Sequence, residues 1–249
     1  MLLSIITITY NNLEGLKKTH SSLAGIWPGE HTQWIVIDGG SNDGTTNFLE
    51  ETAPEIWISE KDNGIYDAMN KGAGLSQGDY VWFLNSGDCV NPNLSKPDFF
   101  NALTQNKDIV YSDTLLANNN VVLWSRSALT TRKLPNHLTV NSWLKGMVIG
   151  HQSMIVKTSV SEHFDTQLKH VADYNWAIEI TRKAKNYLLL PTPIAIFDVS
   201  GHSSRNRKES NMERFKVMIK HFGWFKTCVV HLGIVWLNLA SILKNKNRY

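Results

Sequence analysis

The chain has little cysteine, little net charge and no long uninterrupted apolar run. Its two cysteines, Cys89 and Cys228, are too few for a disulfide framework and suit a reducing cytoplasm. A formal charge of +3 excludes a nucleic-acid binder that works by bulk electrostatics, and no nucleic-acid partner is expected. Repeats and low-complexity tracts are also missing. The apolar start, Met1–Tyr10, lacks the basic leader and small-residue cleavage site of a secretion signal, so it reads as a first strand. What is plentiful is core-forming material, with 42% hydrophobic residues against 19% charged. Nine tryptophans fit an interior, a sugar-binding cleft or a membrane interface.

Apolar, β-branched runs alternate with helical patterns through the first half. Leu2–Tyr10, Gln33–Ile37, Ile56–Ser59 and Tyr80–Leu84 read as strands. Helices are expected at Leu13–Leu23, at Asp43–Glu51 with Ser41 or Asn42 as cap, and at Ile65–Leu75. This rhythm predicts an α/β fold with a mainly parallel sheet flanked by helices. Polar and glycine-rich residues follow the strands directly: Asn11-Asn12, Asp38-Gly39-Gly40 and Asn85-Ser86-Gly87-Asp88. Open α/β sheets bind ligands at the carboxyl ends of their strands, so these segments are candidates for a nucleotide site. From Ile109 onward short strands and loops take over. Val171–Lys185 is a further helix, and Leu188–Asp198 an extended segment interrupted by Pro191 and Pro193.

The ordered segments SIITITYNN, WIVIDGGSNDGT, SEKDNGIYDAMNKG, GDYVWFLNSGD, GHQSMIVK, ADYNW and FDVSGHSS resemble glycosyltransferase family 2. Together they span about residues 2 to 204, and two of them look particularly like enzymes of colanic acid and O-antigen-type polysaccharide synthesis. The resemblance implies a GT-A catalytic domain over residues 1–204 and inverting transfer of a sugar from a UDP- or GDP-linked donor. It also implies that Thr9, Tyr10, Asn11 and Asp38 hold the nucleoside, with Asp38 alternatively a turn-former before Gly39-Gly40. Asp43 reads mostly as a local structural residue.

Family members use an Asp-x-Asp pair after the fourth strand to hold Mn²⁺ or Mg²⁺. Here one carboxylate, Asp88, remains, helped by Asn85, and His202 lies where some relatives supply a late metal ligand. The resemblance places Asn70 and Lys71 at the donor nucleotide; the arginine that many relatives carry before Asn70 is replaced by Met69, which leaves Lys71, Lys61 or the Ser203–Arg207 loop to serve the diphosphate. Asp173 matches the family's catalytic base, against the competing reading of a helix N-cap. His151 and Gln152 match residues near the donor sugar or acceptor. Trp176 is either an acceptor-stacking aromatic or core.

The region 205–249 is basic and apolar. Phe215–Lys226 has the pattern of a basic amphipathic helix, and Thr227–Leu243 contains no Lys, Arg, Asp or Glu. This predicts docking in the plane of the cytoplasmic face of the cell membrane, where a lipid-linked glycan acceptor would be met. The competing reading packs these helices on the catalytic domain or on a second copy of the chain as a homodimer. A nucleotidyltransferase is disfavoured, because no glycine-rich phosphate loop occurs near the N-terminus. A non-catalytic partner in a polysaccharide assembly complex is the alternative that the reduced metal motif keeps open.

Overall fold

The computed structural model describes residues 2–118, 121–199 and 207–233. The expected strands form β1 (Leu3–Thr9), β2 (Thr32–Asp38), β3 (Ile56–Ser59) and β4 (Tyr80–Phe83). The later strands are β5 (Cys89–Val90), β6 (Ile109–Tyr111), β7 (Thr114–Asn118), β8 (Val121–Ser125), β9 (Met154–Lys157), β10 (Tyr187–Leu189) and β11 (Ala195–Asp198). Seven of them build the central sheet in the order β10-β6-β9-β4-β1-β2-β3, and four a smaller sheet, β5-β11-β7-β8. The helices are α1 (Leu13–Ser22), α2 (Thr45–Thr52), α3 (Ile65–Gly74), α4 (Lys96–Thr104), α5 (Arg126–Leu129), α6 (Ala172–Lys183) and α7 (Arg207–Phe222).

Strand β1 pairs in parallel with both β2 and β4. The chain builds outward from β1 to β3 on one side, then returns to place β4 on the other. Such a reversal opens a crevice at the strands' carboxyl ends. Register lines those ends up, with Thr9 opposite Asp38 and Asp38 opposite Ser59. Strand β9 runs antiparallel between β4 and β6, so its amino end, led by a 3-10 turn at His151–Ser153, meets the carboxyl end of β4. The Trp82 indole N–H fixes this meeting by donating to the Gln152 carbonyl at 2.7 Å.

Alternation along β1 sends Ile6 and Ile8 to one face and Leu3 and Ile5 to the other, each into its own buried cluster. The first face is covered by α3 and α6, with Phe83, Phe164 and Trp176 as its aromatic centre. The second gathers Trp27, Trp34 and Trp82.

Three expectations need correction. Helix α2 starts at Thr45 rather than Asp43, and neither Ser41 nor Asn42 caps it. The Asp43 carboxylate instead accepts the Thr45 hydroxyl at 2.6 Å and the Leu13 N–H at 2.9 Å, which ties the first two strand-end loops together. Leu188–Asp198 is not one extended segment. Its prolines cannot continue a ladder, and the chain passes from β10 in the large sheet to β11 in the small one. Helix α7 itself is packed on the body of the fold. Val217 and Met218 are buried in the main core, and the Glu213 carboxylate accepts the Lys169 and His170 N–H groups at 3.0 and 2.8 Å. The continuous helix expected over Phe215–Lys226 is broken at Gly223, whose φ is +81°, and helix resumes over 224–233. No helix among the described residues is long and apolar enough to cross a membrane.

Candidate active site

At the nucleotide end, the β1 and β2 loops interlock. The Asn11 N–H donates to Ser41 Oγ at 2.7 Å, and Asn11 Oδ1 accepts from the Asn42 N–H at 2.9 Å. Thr9 is buried, and its hydroxyl oxygen has no partner. The Tyr10 ring is 64% exposed and is available for stacking. Asp38 is fully buried, and its carboxylate accepts the Ser41 N–H at 3.0 Å, the Ser41 hydroxyl and the Ser59 hydroxyl at 2.6 Å. With about four acceptor sites per carboxylate, Asp38 is largely spent on holding its own loop. The turn-forming reading therefore describes its contacts better than direct hydrogen bonding to a base.

A side chain at Gly39 would put its Cβ 2.7 Å from Asp62 Oδ2 and 3.2 Å from the Tyr10 ring. A side chain there would displace the Asp62 carboxylate and crowd Tyr10. Asp62 was missed in the sequence, although it follows β3 in the same row of strand ends. Asn70 and Lys71 both have partners within the protein. The Asn70 amide donates to the Phe164 carbonyl at 2.9 Å and accepts the Phe164 N–H at 2.7 Å. Lys71 pairs with Glu60 at 2.7 Å and Asp67 at 3.7 Å, and the Glu60 hydrogen bond raises its pKa.

Beyond β4, Asn85-Ser86-Gly87-Asp88 forms a tight turn. The Asp88 carboxylate accepts the Asn85 N–H at 3.2 Å and the Gln152 amide, and burial pushes its pKa up to about 6 against the opposing pull of His151. His151 spans the crevice. Its Nδ1 lies 3.4 Å from Asp173 Oδ2, and its Nε2 lies 3.3 Å from the Asn85 amide nitrogen. That nitrogen only donates, so Nε2 accepts and Nδ1 carries the proton that faces Asp173.

Asp173 is the second residue of α6 and not its N-cap, which is Val171. Its Oδ1 accepts the Tyr174 N–H at 2.8 Å and the Tyr66 hydroxyl at 3.3 Å. Burial alone would raise its pKa, but the hydrogen bonds it accepts, that of His151 first, prevail and hold it below the ordinary carboxylate value. Burial and the Asp173 charge push the Tyr66 hydroxyl well up, so it stays a donor. Tyr66, also missed in the sequence, stacks on Phe164, the residue that Asn70 clamps. Trp176 is a correction: it is fully buried, stacks on Phe164 at 5.1 Å and donates its indole N–H to the Glu162 carbonyl at 2.9 Å. It belongs to the core beneath the site and does not line a sugar pocket.

Asp88 and Asn85 offer hard oxygen donors, which suit Mg²⁺ or Mn²⁺. Asn85 Oδ1 is buried without a hydrogen-bond partner, as expected of an atom reserved for a ligand. No group of three His, Cys, Asp or Glu able to hold a metal occurs among the described residues. His202 lies outside the described residues.

The chain was compared with known proteins. An uncharacterized glycosyltransferase of Mycobacterium tuberculosis (strain CDC 1551 / Oshkosh) is 43% identical over 97 residues, covering 38% of this chain and 36% of the relative. A PGL/p-HBAD biosynthesis glycosyltransferase of Mycobacterium bovis BCG is 30% identical over 126 residues, 48% of this chain and 49% of the relative. The chain thus spans about a third to a half of the length of these relatives. Among solved structures, Staphylococcus aureus TarS 1–349 in complex with UDP-GlcNAc superposes with a TM-score of 0.67 at 18% identity, over 88% of this chain and 64% of that one. A Pyrobaculum calidifontis mannosyltransferase in complex with GDP-Man and Mn²⁺ gives 0.59 at 15%, over 88% and 62%. The fold is therefore GT-A, as expected. The family model described as Glycosyl transferase family 2 matches residues 4–164, and the chain belongs to that family.

Proposed function

We propose that this chain is an inverting glycosyltransferase that moves a sugar from a nucleoside diphosphate donor to a hydroxyl of a lipid-linked bacterial surface glycan. The observation that carries this reading is the Asp173 carboxylate, kept unprotonated by His151 and held in position by Tyr66 at the mouth of a nucleotide-type crevice. A base for sugar transfer needs position more than basicity, since the acceptor proton leaves late. Asp173 takes that proton while the acceptor oxygen attacks the anomeric carbon from the face opposite the diphosphate. Tyr10 stacks on the nucleobase, and Asp62 and the backbone around Gly39 meet its polar edge or the ribose. Asp88 and Asn85 would hold a divalent cation, which supplies neutralisation of the charge that develops on the departing diphosphate. The ligands UDP-GlcNAc and GDP-Man in complex with the structural neighbours support a donor of this class.

The acceptor side of the reading rests on the C-terminal helices. Trp224, Phe225, Val229 and Leu232 are exposed on the helical residues 224–233, beside Lys216, Lys220 and Lys226. Aromatic and cationic side chains together fit the anionic cytoplasmic surface of a membrane, or a second copy of the chain. Calorimetric titration with UDP- and GDP-sugars, with and without Mn²⁺, tests the donor reading. Metal-dependent binding of one nucleotide class is expected, and binding of neither would overturn it.

A further inference from the structure

Three arginines, Arg126, Arg132 and Arg214, feel one another's charge near the 3-10 turn Val140–Lys145, and the Asp173 and Asp113 charges reach Arg126 without forming an ion pair with it. Arg126, at the start of α5, donates from Nη2 to the Met147 carbonyl at 2.9 Å. The Arg132 guanidinium lies across Gly146, where an added Cβ would sit 3.5 Å from its Cζ and Nη2; Gly146 has φ +96° and leaves the room that Arg132 fills. Arg214, on α7, has a buried Nε without a hydrogen-bond partner. Among the described residues none of the three takes part in an ion pair. Asp113 is itself occupied by the Ser127 hydroxyl and by the Thr114 N–H at 2.8 Å.

Gathering like charges is unfavourable unless something brings the opposite charge. The strain registers in the groups themselves. Burial, with Arg132 and Arg214 beside it, lowers Arg126 to about 10, and burial with Arg214 beside it lowers Arg132. Arg132 and Arg214 also act on Tyr174, the neighbour of Asp173, whose hydroxyl donates to the Trp143 carbonyl of the same 3-10 turn at 2.5 Å. The cluster therefore sits at the Asp173 end of the site. Asp88, at the other end, is governed by burial and then by the charge of His151, with none of the three arginines among its causes.

We propose that Arg126, Arg132 and Arg214 form a subsite for a phosphate group carried by the acceptor, beside the hydroxyl that Asp173 deprotonates. This rests on the reading of Asp173 as the base. Three guanidiniums match the charge and the several oxygens of a phosphate better than the single charge of a carboxylate. Arginine is also the residue suited to this task, because its planar fork binds two oxygens at once. A phosphate held there would anchor the acceptor at a fixed distance from its reacting oxygen. It would thereby select phosphate-bearing glycans over neutral ones.

The test uses the full chain with UDP and Mg²⁺ saturating, titrated by calorimetry with inorganic phosphate and, separately, with methyl glucuronate. Phosphate is expected to bind the UDP-loaded chain more tightly than glucuronate. Arg132→Gln and Arg214→Gln should each weaken phosphate by roughly tenfold or more while UDP affinity changes less than about twofold. Absence of phosphate binding, preference for glucuronate, or a parallel loss of UDP affinity would each overturn the proposal, the last by assigning the cluster to the donor diphosphate. If a glutamine variant does not fold, Arg132→Lys keeps the charge and removes the fork, and the wild-type titration stands alone. Failure of UDP and GDP to bind would sink the donor reading separately, since phosphate can still be titrated against the free chain.

Discussion

The His151 imidazole donates from Nδ1 towards Asp173 Oδ2 across 3.4 Å, and this contact joins the two ends of the crevice. Asp173→Asn keeps the size of the side chain and removes its basicity. The variant is expected to bind UDP or GDP within about twofold of the parent and to lose transfer by roughly 10²–10⁴-fold. A variant that retained full turnover in a radiolabelled-sugar assay would remove Asp173 as the base.

Asp88→Asn removes the carboxylate of the turn after β4. Donor affinity measured with Mn²⁺ should drop towards the value measured without it, while metal-free affinity stays level. If Mn²⁺ strengthened nucleotide binding equally in parent and variant, Asp88 would not be a ligand. Asn85→Ala should show a smaller effect of the same kind.

Trp176→Ala should cost about 3–5 kcal/mol of stability by urea unfolding, the range for emptying a large aromatic site in a core. Trp176→Phe keeps the stack on Phe164 and loses the hydrogen bond to Glu162, so a cost of about 1 kcal/mol and an unchanged acceptor KM are expected. A tenfold rise in acceptor KM without loss of stability would return Trp176 to the sugar pocket.

Acid should loosen α7. His221 is neutral in the fold, since its Nδ1 faces the Arg182 guanidinium at 3.2 Å and its Nε2 meets Asn175 Oδ1 at 2.8 Å. Burial, together with the Arg182 and Lys220 charges, lowers its pKa to about 4 from an ordinary value near 6.5. Between these values the unfolded chain binds the proton and the folded chain does not, so stability falls as pH drops from about 6.5 to about 4. Hydrogen exchange of α7 amides at pH 7 and 4.5 should show protection lost at the lower pH. Equal protection at both would refute this role for His221.

Replacing Trp224 and Phe225 together with serine should reduce co-sedimentation with vesicles that contain anionic phospholipid. Both side chains are more than 60% exposed, so fold stability should hold. Unchanged sedimentation would count against the membrane reading. A shift from dimer to monomer in sedimentation velocity would favour the second copy as the covering partner.

The sequence made the parallel half of the fold legible because each strand carries a β-branched run closed by polar turn residues. Asp88, His151 and Asp173 were legible through the ordered motifs around them, and the structure brings these three into one site. Tyr66 and Asp62 were not, since an ordinary Tyr in a helix and an Asp before Asn-Gly carry no signal until the sheet sets them opposite Asp173 and Gly39. Asn70 and Trp176 looked like ligand residues because motif position does not reveal side-chain direction. Both face Phe164 instead. The arginine cluster was invisible for a further reason: its members come from residues 126, 132 and 214, and α7 delivers the last of them from outside the matched family segment.

The placement of β9 has a consequence for biosynthesis. Among the described residues β6 has no hydrogen-bonded strand neighbour other than β9 and β10, and β4 pairs with β1 on one side and β9 on the other. Until the ribosome has released residue 157, a nascent chain therefore carries an open edge at β4 and an orphan strand at β6. Open edges invite pairing with other chains. The half of the molecule built on β1 to β4 can order itself early, but it stays vulnerable to aggregation until the strand bearing His151 at its threshold closes the sheet. Protection from self-association and completion of the catalytic constellation thus arrive in the same step of synthesis.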